Sequence, residues 1–364
     1  MKRIGINALC YSPLRAGVSN YIYDLTTQFS KTTSTDEFFV FLPTSARSHF
    51  VKTNNLTPIF LPVPNILARF LTEQLVLPVL FHWHHLDLLH SMGNIAPILL
   101  GNKNIVTIHD VYFLRDRKRF GVLKQCYLRL FVRLTVKSVN KIITVSNFTN
   151  NEIRHFYGIP ENHLITIYEG FHQPSVTSDK SISRTLSKFG ICSKYFLFVG
   201  TIEPGKNVLG LIKAFHKAVN QKYSLAIVGK PGWGYSVVND YLQDHSLDDR
   251  VFLTGYVDEI DLANFYSDAV ALVLPSFDEG FGLPILEAMS QGCPVCCSNT
   301  SCLPEIAGNA ALFFDPRNSD DIAQTLVNIL DDKIRSELRD KGFLNLKRFS
   351  WESCVRETLD VYYE

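Results

Sequence analysis

Val270-Ala-Leu-Val-Leu-Pro-Ser-Phe-Asp-Glu-Gly-Phe-Gly-Leu-Pro-Ile-Leu-Glu287 is the stretch that decides the fold. Its first five residues are a short continuous apolar run, the pattern of a strand buried on both faces of a parallel sheet, and Pro275 ends it. Gly280-Phe-Gly282 then supplies a tight turn, and a helix opens at Leu283. Glu279 and Glu287 therefore stand just past a strand's carboxyl end, where open parallel sheets gather their ligands.

Similar strand-like runs occur at residues 3–7, 38–42, 104–108, 141–145, 195–199 and 224–228, each separated from the next by helical patterns. This alternation predicts an α/β chain of two Rossmann-like, doubly wound domains. The polar, proline-containing stretch 173–181 reads as a linker, dividing a first domain (1–174) from a second domain (175–349). Near the start, Gly17 precedes Val18, Tyr21, Ile22, Leu25 and Phe29, spaced for one face of a helix. At the far end Ser350 caps a helix bearing Trp351, Val355 and Leu359, and residues 350–364 are expected to return to the first domain.

With 364 residues, 46% hydrophobic and 20% charged, the chain suits two globular domains, and its net charge of +1 gives no overall pull toward nucleic acid. The eight cysteines are irregularly placed. Four of them, Cys293, Cys296, Cys297 and Cys302, read as small core hydrophobes around another buried strand rather than as metal ligands. His82-Trp-His-His85 lacks ligand spacing and reads as a loop or helix end. No secretory leader is recognised, and prolines and charges interrupt the richest apolar region, 56–89, before bilayer length. A cytoplasmic chain, soluble or peripheral on a membrane, is expected.

Several strand ends carry polar residues suited to one ligand. Gly200-Thr201-Ile-Glu-Pro-Gly-Lys206 follows one strand and Gly229-Lys230-Pro-Gly-Trp-Gly234 the next. Amides at Gly282 and Leu283, near a helix amino terminus, can receive a diphosphate, and Lys206 brings a full positive charge. Glu287 can accept both hydroxyls of a ribose, while Glu279 faces a sugar. Taken singly, each has a plainer reading as a tight connection or a solvated side chain.

Together these residues resemble the nucleotide-binding half of family 4 retaining glycosyltransferases, whose GT-B fold sets two Rossmann-like domains facing each other across a cleft. The match rests on Glu279-x7-Glu287 within Pro275-Ser-Phe-Asp-Glu-Gly-Phe-Gly-Leu-Pro-Ile-Leu-Glu-Ala-Met289, on Gly292-Cys-Pro-Val295, Leu303-Pro-Glu-Ile-Ala-Gly308 and Phe252-Leu-Thr-Gly-Tyr-Val257, and on Thr107-Ile-His-Asp110, Val145-Ser-Asn-Phe148 and Ile167-Tyr-Glu-Gly170 in the first half. The resemblance implies that Lys206 binds the donor diphosphate, Glu287 the ribose and Glu279 the transferred sugar. It places Gly280, Phe281, Gly282 and Leu283 around the leaving-group side, Tyr256 and Val257 beside the base, and His109 close to the reacting sugar. Relatives often carry paired glycines at the loop 16–20, where Gly17 stands alone; its amide either approaches the donor phosphate or the acceptor, or simply begins the helix. Many also place an arginine near Thr201 and another where this chain has Gly205; Lys230 is the candidate substitute.

The resemblance further implies retention of anomeric configuration, no required metal or other cofactor, and a nucleotide diphosphate sugar donor, GDP-mannose being the first expectation. A saccharide acceptor, carried on a lipid in O-antigen or capsule type polysaccharide assembly, completes the expectation. Two alternatives share the architecture, a sugar-nucleotide 2-epimerase and a non-catalytic partner subunit. Residues 115–141 add a conspicuous basic helix, with Arg129, Arg133 and Lys137 on one face and Leu123, Tyr127, Leu130 and Leu134 on another. Such a helix suits either an anionic membrane surface or packing with a solvated basic face.

Overall fold

The computed structural model describes residues 1–13, 17–32, 35–115, 122–171 and 178–364, side chains of 122–124 and 179 aside. The chain divides into two compact units, Met1–Gly170 with Phe349–Glu364, and Phe171–Arg348. The boundary expected at 174/175 lies outside the described residues.

In unit 1 the strands are β1 (Arg3–Asn7), β2 (Glu37–Pro43), β3 (Leu56–Leu61), β4 (Leu88–Ser91), β5 (Asn104–Ile108), β6 (Lys141–Thr144) and β7 (Leu164–Thr166). All pair in parallel, in the order β3-β2-β1-β4-β5-β6-β7. Helices α1 (Val18–Phe29), α2 (Ile66–Leu71), α3 (Leu77–Trp83), α4 (Tyr112–Arg115), α5 (Val122–Ser138) and α6 (Asn147–Tyr157) connect them. The chain runs outward from β1 to β3 and resumes at β4 on the other side of β1. That reversal makes the carboxyl ends of β1 and β4 the switch point, which the Asn7 side chain bridges by donating to Ser91 Oγ at 3.3 Å.

Unit 2 repeats the plan with β8 (Lys194–Val199), β9 (Tyr223–Val228), β10 (Val251–Gly255), β11 (Ala271–Leu274), β12 (Val295–Ser298) and β13 (Ala311–Phe314). Their order is β10-β9-β8-β11-β12-β13, again all parallel, so the switch point falls between β8 and β11. Around them lie α7 (Asp179–Lys188), α8 (Val208–Ala218), α9 (Tyr235–Asp244), α10 (Glu259–Asp268), α11 (Leu283–Ser290), α12 (Leu303–Ala307), α13 (Ser319–Asn328) and α14 (Asp332–Asn345). Ser178 Oγ accepts from Ser181 N–H and caps α7, so the stretch expected to be linker as far as 181 is already helical. Cys293, Cys296, Cys297 and Cys302 are buried free thiols whose pKa values burial pushes up, in keeping with core packing.

The last helix, α15 (Trp351–Tyr363), belongs to unit 1. Ser350 Oγ caps it by accepting from Ser353 N–H, and Trp351, Val355 and Tyr362 enter the same core as Tyr21, Ile22, Leu25 and Phe29 of α1. Gly170 makes this docking possible, because a Cβ there would meet the Trp351 backbone nitrogen at 2.3 Å.

A comparable close approach joins the ends of β8 and β9. Gly229 has φ 151°, and a Cβ on it would sit 1.9 Å from the Gly200 carbonyl oxygen. Gly229→Ala must force these strand ends apart, at an expected cost of about 2–4 kcal/mol in urea unfolding. An unchanged denaturation midpoint would contradict this approach.

Candidate active site

At the unit 2 switch point the loop after β8 meets the loop after β11. Phe277 N–H donates to Gly205 O at 3.0 Å and fixes the two segments side by side. Lys206 Nζ then lies 2.6 Å from Glu279 Oε1, with side-chain exposures of 20% and 14%. The same carboxylate oxygen accepts from Ser276 Oγ at 2.8 Å, while Glu279 N–H donates to Ser301 Oγ at 3.2 Å. Charge-assisted bonds of this kind hold a largely buried acid and base in one geometry. Three residues on, Gly282 takes φ 92°, in the left-handed region that favours glycine, and α11 starts at Leu283. Gly280 and Phe281 form the turn, with Phe281 buried.

Glu287 sits in α11, partly exposed, and Tyr266 Oη donates to its Oε2 at 2.8 Å. Burial raises the Glu287 pKa, and the Tyr266 hydrogen bond opposes that rise. Neither Tyr266 nor the serines around Glu279 were found by sequence reading, because they come from other elements and form no local motif with the glutamates.

The other expected residues follow neighbouring strands. Thr201 is exposed after β8, and Lys230 after β9 lays its ammonium 4.8 Å over the Tyr256 ring, which is 64% exposed after β10. Lys206 thus turns toward β11 and Lys230 toward β10, so the two cations are not gathered on one spot. Val257 is buried beside Tyr256. A cation absent from the sequence reading is Arg317, after β13, whose guanidinium stands 6.0 Å over the Phe277 ring. Its neighbour Pro316 accepts from Asn207 Nδ2 at 2.8 Å, so Arg317 belongs to the surroundings of Lys206.

In unit 1, His109 follows β5 next to that unit's switch point. Its ring nitrogens face two acceptors, Glu169 Oε1 at 3.3 Å from Nδ1 and Met92 O at 3.1 Å from Nε2. A neutral ring donates to only one of them at a time. Asn94 Oδ1 accepts from His109 N–H at 3.2 Å, and the Tyr21 ring meets the imidazole edge-on at 4.8 Å. Beneath it runs a buried polar chain: Tyr362 Oη lies 2.6 Å from His90 Nδ1, His90 Nε2 2.7 Å from Thr107 Oγ1, and Thr107 Oγ1 3.2 Å from Tyr21 Oη. Burial, reinforced by the nearby His109, pulls the His90 pKa down to about 3. Gly17 precedes α1 with φ 52° and ψ −118°, a conformation reserved for glycine.

On α5, the face expected to pack differs from the one that does. Val132, Thr135 and Val136 are buried, whereas Leu130 and Leu134 are exposed beside Arg133 and Lys137. Arg129 points instead at α4, donating to Phe113 O and Leu114 O. Arg117, Lys118 and Arg119 lie outside the described residues, as does the side chain of Lys124. Among the described residues, no helix is long and apolar enough to cross a membrane, and no group of three His, Cys, Asp or Glu is placed to hold a metal ion.

Two parallel, doubly wound units carrying these strand-end residues define the GT-B class of glycosyltransferase. Residues 188–342 match the profile of glycosyl transferases group 1, and residues 15–172 that of glycosyltransferase family 4. The chain is 34% identical over 271 residues to O-antigen chain mannosyltransferase B of Escherichia coli, covering 71% of this chain and 69% of that protein. It is 28% identical to O-antigen chain mannosyltransferase RfbU of Salmonella typhimurium, over 73% of this chain and 75% of the relative. Among solved structures, Anabaena HepE in complex with UDP and glucose superposes with a TM-score of 0.78 over 100% of both chains, at 18% identity. The chain belongs to family 4 of the glycosyltransferases.

Two tests follow from this geometry. The unfolded chain takes up a proton on His90 near pH 6.5 that the fold refuses until about pH 3, so stability falls as pH drops through this window. His90→Gln should flatten the stability profile between pH 6.5 and 4 by up to about 1.4 kcal/mol per pH unit; an identical slope would show that His90 is not held neutral. For Glu287, Tyr266→Phe removes the bond that opposes the raised pKa. Ligand binding that needs the carboxylate should then be lost at higher pH than in wild type, as titration calorimetry across pH would read.

Proposed function

We propose that this chain transfers mannose from GDP-mannose, with retention of configuration, to a lipid-linked saccharide acceptor during O-antigen type polysaccharide assembly at the cytoplasmic face of a membrane. The observation that carries the reading is its identity to an O-antigen mannosyltransferase across most of both chains. The Lys206–Glu279 pair at the unit 2 switch point supplies matching chemistry.

In this reading the donor diphosphate takes a share of the Lys206 ammonium, and the sugar hydroxyls donate to the Glu279 carboxylate, so each member of the pair exchanges one partner for another without leaving a buried charge alone. Glu287 Oε1, for which no partner stands among the described residues, accepts from the ribose, and Tyr256 flanks the base. Amides from Gly280 to Leu283 face the phosphate oxygens, and Gly17 and Thr201 line the donor. The bond from the anomeric carbon to the phosphate oxygen breaks first, through an oxocarbenium-like transition state. The acceptor hydroxyl bonds to the same face, and its proton passes to the departing phosphate. His109, held by Glu169 and Met92, is the residue of unit 1 assigned to the reacting sugar. No metal takes part in this scheme.

Charge accumulates on the leaving diphosphate, so Lys206→Ala should lower kcat by about 10²–10³. Lys230→Ala and Arg317→Ala, measured in parallel, show which cation does the work of the arginine that Gly205 replaces; turnover unchanged in both would leave Lys206 alone in that role. A thermal-shift screen of GDP- and UDP-sugars should single out GDP-mannose, since a bound ligand stabilises the fold by mass action. Glu287→Ala should abolish that shift, and an equal shift would refute the ribose assignment. Conversion of donor without any acceptor would favour the epimerase, and donor binding with no transfer the non-catalytic subunit. Proton NMR of the first product should show the donor's anomeric configuration.

A further inference from the structure

A π-helical stretch, Thr72–Val76, joins α2 to α3 and turns Glu73, 5% exposed, and Gln74 toward the protein. Winding of this kind is frequent at functional sites. A carboxyl group buried there needs a close partner, and Glu73 has a loose one. Arg69 Nε lies 3.6 Å from Glu73 Oε1, beyond hydrogen-bonding distance, and has no acceptor of its own among the described residues. Across from them on α5, the Tyr127 ring meets Phe70 edge-on at 5.4 Å and feels the charges of Glu73 and Arg69. Its Oη is also buried with no partner among the described residues.

Burial lifts the Glu73 pKa to about 7, against the opposing pull of Arg69 and of the Asn7 amide. Asn7 is the residue that bridges β1 to β4 at the unit 1 switch point, so Glu73 stands at the crevice where that sheet gathers ligands. A perturbed acid in such a place is the mark of a working site. The loops after β1 and β4 close up beside it, since a Cβ on Gly93 would meet Cys10 Sγ at 2.9 Å. Burial pushes the Cys10 thiol up to about 11 and the Tyr127 phenol up to about 12, so both are neutral where Glu73 titrates. Arg69 and Glu73 carry the charge of the cluster.

This set of groups suits one class of ligand. Arg69 would repel a metal ion, and Glu73 would repel an anion. A sugar hydroxyl gives and takes hydrogen bonds, so it can donate to Glu73 while accepting from Arg69 Nε or Tyr127 Oη. The half-buried rings of Phe70 and Tyr127 add apolar surface for the C–H face of a pyranose. Gln74 ties the stretch to the segment after β4: its Nε2 donates to Ala96 O and its Oε1 accepts from Ile98 N–H, both at 3.1 Å. Met92 and Asn94 of that same segment seat His109.

We propose that Glu73, Arg69 and Tyr127 form the subsite that grips the acceptor saccharide, with the Glu73 carboxylate accepting from one of its hydroxyls. This rests on the saccharide-acceptor reading and adds the residues that select the acceptor. The ionised carboxylate does the gripping, so acceptor capture weakens as pH falls through about 7. Methyl glycosides of mannose, N-acetylglucosamine, galactose, glucose and rhamnose are offered with saturating GDP-mannose, and the one used best is titrated across this pH range. GDP release without acceptor and the GDP-mannose thermal shift are followed in parallel. The wild-type acceptor KM should rise roughly 10-fold from about pH 7.5 to about pH 6. Glu73→Gln should raise it at least about 10-fold at the higher pH and flatten its pH dependence, and Tyr127→Phe should raise it about 3-fold. Melting temperature, acceptor-free GDP release and the donor shift should stay unchanged in both. Use of none of the glycosides, a wild-type KM flat with pH, or a Glu73→Gln profile like that of wild type would overturn the proposal. So would a Glu73→Gln loss confined to kcat or matched by a fall in melting temperature, the signature of a structural ion pair. Absence of the GDP-mannose shift in wild type would count against the donor reading instead, and the same assay is then run with the nucleotide sugar that gives one.

Discussion

The ion pair between Lys206 and Glu279 is the contact on which the unit 2 site depends. It exists because strand order reverses between β8 and β11, leaving their carboxyl ends adjacent with no strand connection crossing the gap. The Phe277 to Gly205 backbone bond sets the spacing, and Gly282 lets the chain turn at once into α11, which carries Glu287. A lysine and a carboxylate held mostly out of water fix one another's orientation at these strand ends.

Unit 1 uses the same topology for another purpose. His109 stands on a buried network in which every polar group has a defined neighbour, running from Tyr362 of α15 through His90 and Thr107 to Tyr21 of α1. Glu169 and Gly170 divide the work of adjacent positions: the glutamate meets His109, and the glycine admits the Trp351 backbone. The final helix therefore supports the histidine's surroundings as well as the hydrophobic core.

Much of this was legible in the chain. Apolar runs marked β1, β2, β5, β6, β8, β9 and β11 because strands buried on both faces must be continuously apolar. Weaker strands escaped notice. β3 carries Pro58, β7 spans Leu164–Thr166 only, and β4 lies inside the long apolar stretch before Leu89. On α5, helical spacing alone could not tell which of two apolar stripes packs inward, and Leu130 and Leu134 proved to be outside.

By itself, the sequence determined the doubly wound class, the strand-end positions of Lys206, Glu279 and His109, the place of Glu287 in the helix that follows, and the family, since these depend on local pattern and spacing. Tertiary structure alone decided the partners: Tyr266 on Glu287, Ser276 and Ser301 on Glu279, Glu169 on His109, and Arg317 near Lys206. It also decided which way residues 66–83 face. Each of those contacts joins elements distant in the chain, and the side a helix presents to solvent is set by what packs against its other side.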